Sequence, residues 1–154
     1  MNIKFEKVNN NHLPNIIKLH NKYFFRKISL EDLSNLHRLN PVNKNHNDLT
    51  KGLVAIYHNR IVGYIGCIPQ VYKYRNFELL TYVTNSLVCE KGFESLAVIL
   101  CSKFIKDNKP DMFLNTTPNK SASKIFEAIG FKNFGNYESR IIKFKILNYN
   151  SFIK

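Results

Sequence analysis

Cysteine is scarce in this chain of 154 residues: only Cys67, Cys89 and Cys101, scattered along its length. Their odd number and their spacing exclude a disulfide framework and a cysteine metal site. Each reads as a small buried hydrophobe. Cys89 falls in a turn, but no histidine lies near it in sequence to draw off its proton, so a nucleophilic role is disfavoured. His12, His20, His37, His46 and His58 form no pair at ligand spacing, and no metal is expected. No apolar run approaches the length of a membrane span. Residues 1–6 lack the apolar core of a signal peptide, which points to a cytoplasmic protein with no membrane partner. Acidic residues are also few. Eleven Asp and Glu against 23 Lys and Arg leave a formal charge of +12, which favours anionic partners such as nucleic acid, a phosphorylated cofactor or anionic lipid. The lysines form no dense basic tract, and that weakens the nucleic-acid reading.

What is present is enough for a core. A hydrophobic content of 44% with 13% aromatics argues for a folded chain, most simply one domain over residues 1–154. Residues 3–8 alternate apolar and polar and read as a strand. Leu13, Ile16, Ile17, His20 and Phe24 recur at three and four, the spacing of an amphipathic helix, with Pro14 in its first turn. Ser29 and Asp32 form a capping-box pair for a second helix, striped by Leu30, Leu33, Leu36 and Leu39 and ended at Asn40-Pro41. A polar loop over 40–51 follows. Strands are predicted over 53–57, 61–74 and 77–88, joined at Asn59-Arg60 and Arg75-Asn76. Gly63 and Gly66 suggest a bulge or close backbone approach, and Pro69 a break in the ladder. A helix is predicted over 94–106, apolar all round at 96–101 and therefore buried on most sides. A short strand over 111–115 leads to Thr117-Pro118, read as an N-cap and first helical residue. Ala122, Ile125, Phe126 and Ile129 stripe that last helix, and Gly130 stops it. Strands over 131–134 and 140–147 complete an α+β order, β-α-α-β-β-β-α-β-α-β-β, with a mixed, mostly antiparallel sheet and no repeat or linker.

The stretch Val88-Cys89-Glu90-Lys91-Gly92-Phe93-Glu94-Ser95-Leu96 joins a strand to a helix. The first N–H groups of a helix have no partner within it and point back at such a turn. The helix dipole adds positive charge there, so the turn suits an anion such as a phosphate. The plain alternative is an ordinary connector.

Taken together, the chain resembles the GNAT superfamily of acyl-CoA-dependent N-acyltransferases in element order over nearly its whole length. Ile61-Val62-Gly63-Tyr64-Ile65-Gly66 looks like the family's third strand. Ser86-Leu87-Val88 with Lys91-Gly92-Phe93 looks like its fourth strand and pyrophosphate loop. Asn119-Lys120-Ser121-Ala122 through Phe126-Glu127-Ala128-Ile129-Gly130-Phe131 looks like its late helix, the most specific of the three matches. The chain also departs from the pattern. The loop keeps one glycine where the family usually has two, and it sets Glu94 where phosphates should lie. Phe126 stands where the family usually offers a tyrosine as acid to the leaving thiolate.

The resemblance implies acyl transfer from acetyl-CoA, or another acyl-CoA, to an amine-bearing acceptor in a ternary complex. It would place the pantetheine arm along Leu87 and Val88, and the pyrophosphate on the N–H groups of Gly92, Phe93, Glu94 and Ser95 with Lys91 adding charge. Asn119, Ser123 and Phe126 would touch the cofactor from the late helix. Tyr82, Thr84 and Asn85 are the candidates to hold a proton-relaying water. A tyrosine titrates at about pH 10, so Tyr82 serves badly as a direct base. Each of the three has the alternative role of packing or pairing in the sheet. The loop over 40–51 and the segment around Asn136 are expected to border the acceptor site, and Phe126→Tyr is expected to raise turnover. Two other readings stand beside this one: a protein of the same fold that binds acyl-CoA without turnover, and a basic nucleic-acid-binding domain. A homodimer is left open.

Overall fold

The computed structural model describes residues 2–44 and 49–132. Nine elements alternate along it: strand β1 (Lys4–Lys7), helices α1 (Leu13–Tyr23) and α2 (Leu30–Arg38), strands β2 (Gly52–Tyr57), β3 (Arg60–Tyr74) and β4 (Phe77–Cys89), helix α3 (Leu96–Asp107), strand β5 (Met112–Leu114) and helix α4 (Lys120–Ala128). The strands form one sheet in the order β1-β2-β3-β4-β5. All neighbours are antiparallel except β4 and β5, which run parallel. The predicted strand over 140–147 lies outside the described residues, as does the second half of that over 131–134, whose first two residues carry no regular structure.

Side chains alternate across a strand, so β2, β3 and β4 feed two cores. On one face, Val54, Ile61, Tyr64 and Val88 meet Leu13, Ile16 and Leu19 of α1 and Leu33 of α2. On the other, Leu53, Ala55, Val62, Ile65, Cys67 and Tyr82 meet Leu96, Leu100, Cys101 and Phe104 of α3 and Phe126 of α4. Gly63 marks the close approach expected of it, because a methyl there would stand 2.8 Å from the Leu100 side chain.

Several local expectations shift. The first hairpin turns at His58 and Asn59, not Asn59-Arg60. Both residues have positive φ (47° and 59°), as a two-residue turn matching the twist of its strands requires, and Arg60 already pairs with Tyr57. Pro69 causes no break. It pairs with Tyr82 on β4, while its carbonyl accepts from Asn40 Nδ2 at 2.8 Å on the other edge, which β2 has left. A proline's missing N–H costs little at such an edge. The expected burial of α3 on most sides also fails, since Val98 and Ile99 are 42% and 48% exposed. One side of α3 packs on the sheet and the other does not. The last helix is capped by Asn119 rather than Thr117: Asn119 Oδ1 accepts from Ala122 N at 2.8 Å. The Ser29–Asp32 capping box and the glycine stop at Gly130 (φ 96°) are found as expected.

Candidate functional site

The site begins with one extra residue in β4. Gly66 pairs with Ser86, but its neighbour Cys67 pairs with Thr84, so Asn85 has no partner on β3. Such a bulge resets the alternation of side chains. Asn85 and Ser86 in consequence both line the cavity beside α1 and α2. Tyr82 stays on the opposite face, buried against Phe104 and Phe113. Burial pushes its hydroxyl above the usual range. Thr84 is buried too, and its hydroxyl donates to Leu114 O at 3.3 Å. Of the three candidate water-holding residues, the fold brings only Asn85 to an open space.

The parallel pairing of β4 with β5 is short. It runs from Thr81–Met112 to Val83–Leu114 and stops. Asp111 fixes its start, with its N–H donating to Leu80 O at 2.9 Å and its carboxylate accepting Leu80 N–H at 2.8 Å. Beyond Leu114 the chain leaves β4 for the turn that leads to α4, and the edge of β4 past Val83 has no strand beside it among the described residues. Glu90 N–H donates back to Val62 O at 2.7 Å. Backbone groups alternate between edges along an antiparallel ladder, so those of Val88 face β3 while those of Leu87 and Cys89 face the open edge. The Cys89 thiol is half-buried and pushed up to about 11, chiefly by burial and then by the Glu94 charge, so it is no nucleophile.

After Cys89 the chain turns sharply. Phe93 N–H donates to Glu90 O at 2.9 Å, and Gly92 takes φ 88°. Lys91 N–H donates to Tyr23 Oη at 2.9 Å. The phenyl ring of Phe93 drops into the core beside Tyr57, 5.5 Å between centroids. Glu90 points away, its carboxylate 3.1 Å from both Lys22 and Arg60. Helix α3 starts at Leu96, two residues later than predicted, and Ser95 makes no side-chain cap. Glu94 does not turn outward. Its Oε2 accepts Gly92 N–H at 2.9 Å, and bonds from its own N–H and that of Gly92 hold the carboxyl below the usual carboxylate range. An internal anion thus occupies two of the N–H groups at which an external one was expected, those of Gly92 and Glu94, and Phe93 N–H is held by Glu90.

On α4, Asn119 is spent on the cap and the Ser123 hydroxyl donates to Glu127 at 3.0 Å. Phe126 is buried with its ring 4.9 Å from that of Phe131. A hydroxyl added there would enter the core, so the expected gain from Phe126→Tyr is withdrawn.

The cavity beside the bulge has a volume of about 520 Å³. His20, Tyr64 and Leu33 form its buried wall, and Arg26, Lys27 and Asp32 stand among its exposed residues. His20 stacks on Phe24, centroids 4.3 Å apart, and burial lowers its pKa. Lys27 is tied to the carbonyls of Asn21 and Phe24, and Asp32 to Ser29. Sequence reasoning missed Tyr64 and took His20 as part of an apolar stripe. The signal for Tyr64 was its tyrosine between Gly63 and Gly66. Asn40, Pro41 and Val42 of the polar loop line a separate cavity with 68–72 of β3. Asn136 lies outside the described residues.

No family model matches this chain, and no curated protein matches it in sequence. Solved structures match it in shape. Glucosamine-6-phosphate N-acetyltransferase from Arabidopsis thaliana superposes with a TM-score of 0.66 at 13% identity, over 96% of this chain and 100% of that one. The aminoglycoside 6'-N-acetyltransferase AAC(6')-IG from Acinetobacter haemolyticus gives 0.62 at 15%, over 95% and 98%. Arabidopsis thaliana NAA60 in complex with acetyl-CoA gives 0.62 at 13%, over 85% and 87%. At such identities the likeness establishes architecture alone: this chain has the α+β fold of the GNAT acetyltransferases.

Proposed function

We propose that this protein is a divergent GNAT-superfamily acyltransferase, which moves an acetyl or other acyl group from acyl-CoA to an amine by direct attack in a ternary complex. The observation that carries the reading is the parting of β4 from β5 after Leu114 beside the bulge at Asn85. It leaves one open strand edge between a cavity and a helix N-terminus. The pantetheine amides would pair with the groups of Leu87 and Cys89 on that edge. The pyrophosphate would take the N–H groups of Gly92, Glu94 and Ser95, with Lys91 adding charge, once the Glu94 carboxylate has left Gly92 and Glu94; the Phe93 N–H already donates to Glu90 O. Asn119 and Ser123 at the start of α4 would flank the cofactor from the other side.

Acyl transfer needs an uncharged amine, a polarised thioester carbonyl and close placement of the two. A backbone N–H at Leu87 would stabilise the developing oxyanion, and placement supplies much of the rate. Phe126 offers the thiolate no proton. A general acid is worth about a hundred- to ten-thousand-fold, so turnover is expected to be slow. The experiment is thiol release from acetyl-CoA with a panel of amines. Amine-dependent release is expected, and tight CoA binding without it would favour the second reading, a protein that binds acyl-CoA without turnover. Enclosed Phe126 and the Glu94 carboxylate in the loop favour that alternative. A nucleic-acid-binding role would instead show affinity falling steeply with salt.

A further inference from the structure

The turn after β4 is held from the side of α1. Glu90 and Lys91 open the turn, and the peptide unit that joins them is fixed at both ends. Its C=O accepts Phe93 N–H at 2.9 Å, and its N–H donates to Tyr23 Oη at 2.9 Å. The bond from Phe93 closes a four-residue turn. Gly92 stands third in it, with the positive φ (88°) that a type II turn asks of that place. Glu90 is anchored elsewhere too: its N–H donates to Val62 O at 2.7 Å, and its carboxylate stands 3.1 Å from both Lys22 and Arg60. The side chains of those two cations are 58% and 62% exposed, and ion pairs so exposed hold little. The Tyr23 hydroxyl is therefore the contact from α1 that fixes the direction of the 90–91 peptide. The N–H groups of Gly92 and Glu94 are taken by the Glu94 carboxylate, which an incoming anion would have to displace. The 90–91 peptide keeps its own bonds when that carboxylate leaves, so it is the fixed end of the turn.

We propose that Tyr23 is a positioning residue for the diphosphate of acyl-CoA: its hydroxyl locks the 90–91 peptide, and the lock aims the N–H groups of Gly92, Glu94 and Ser95 at one anion. The role rests on the acyl-CoA reading of the turn. It adds a residue 68 positions away in sequence from Lys91. Tyr23 acts through Lys91 and touches no reacting atom. It is the last residue of α1, which the extended backbone of Phe24 ends. Tyr23 is 41% exposed, so without the hydroxyl water takes the Lys91 N–H and the fold loses little. The peptide nevertheless regains its freedom to rotate, and the cost of ordering it falls on the ligand. That cost belongs to the diphosphate alone. The pantetheine arm would lie along Leu87 and Cys89, where β4 is held by its ladder to β3 and not by Tyr23.

The test compares wild type with Tyr23→Phe, which keeps the ring and removes the hydroxyl. Affinity is measured for CoA by calorimetry. For pantetheine, the same arm without the pyrophosphate and nucleotide, it is measured by NMR titration. Amide hydrogen exchange at Lys91 and thermal unfolding are followed on both proteins. Tyr23→Phe should weaken CoA binding about three- to tenfold, the worth of one hydrogen bond. Pantetheine binding should be unchanged, exchange at Lys91 faster and Tm nearly unmoved. Equal CoA affinities in the two proteins would overturn the role. So would an equal loss for pantetheine, unchanged exchange at Lys91 or a marked fall in Tm, since each makes the hydroxyl either idle or merely structural. Failure of wild type to bind CoA is a different result: it overturns the acyl-CoA reading, and the positioning role falls with it.

Discussion

Glu94 sets the terms on which the turn after β4 meets an anion. Its carboxylate holds Gly92 N–H at 2.9 Å and is lowered by its own N–H first and that of Gly92 second. A depressed carboxyl interacts fully above its ordinary pKa and loses the interaction as pH falls through its lowered one. Glu94→Gln is therefore expected to bind CoA more tightly than wild type at neutral pH, and the gap should close below the usual carboxylate range. Calorimetric titration across pH measures it, and equal affinities at neutral pH would show that the carboxylate does not compete. His37 carries a second pH dependence. It is 3% exposed with Nε2 unpartnered among the described residues, and burial lowers it to about 4. A base so lowered is neutral in the fold and charged in the unfolded chain below its ordinary value. Its contribution is whole above about pH 6.5 and is lost as pH falls toward 4, up to about 3 kcal/mol. Denaturant unfolding should show this slope in wild type and a shallower one in His37→Leu. Residue identity alone showed that Glu94 stood in the turn after β4. It could not show which way the carboxylate pointed, because that depends on the positive φ of Gly92. Nor could it show that Phe126 is enclosed, because the stripe of α4 does not say what Phe131 covers.

Elements were legible where the apolar rhythm was strong. The stripe of α1, the Ser29 cap, the three-strand meander and the Gly130 stop are all carried by local chemistry, whereas of the stripe expected on α2 only Leu33 is buried and Leu30, Leu36 and Leu39 are exposed. Where neighbours decide, the reading slipped. The bulge at Asn85 is invisible in Thr81-Tyr82-Val83-Thr84-Asn85-Ser86, which has no apolar–polar alternation to interrupt, and it exists only as a register difference against Gly66 and Cys67. Pro69 was read as a break because sequence does not say where β2 ends. Val98 and Ile99 were read as buried because an apolar run does not tell how much of a helix its sheet covers. Helix α3 is nonetheless the element that holds the far face: Leu100 is fully buried under Gly63. Leu100→Ala is expected to cost about 2–5 kcal/mol, read as a lower denaturant midpoint with an unchanged slope. A loss well below that range would mean that α3 is not anchored there.

At the scale of the whole molecule, two helical layers pack on one sheet, and the sheet opens where β4 outruns β5. The formal charge of +12 would raise the local concentration of any anionic ligand, and no helix among the described residues is long and apolar enough to cross a membrane. A ligand at a hundred times its dissociation constant would add about 2.7 kcal/mol to stability, but a thermal shift does not say where the ligand sits. Backbone amide resonances followed by NMR during titration with CoA report binding and place together. The expected result is saturable shifts concentrated at Leu87, Cys89, the turn from Gly92 to Ser95 and the start of α4 at Asn119, with α2 and β1 unmoved. Absence of shifts at millimolar CoA in folded protein, or shifts confined to α1 and the hairpin at His58, would contradict an acyl-CoA site in the opening beside β4.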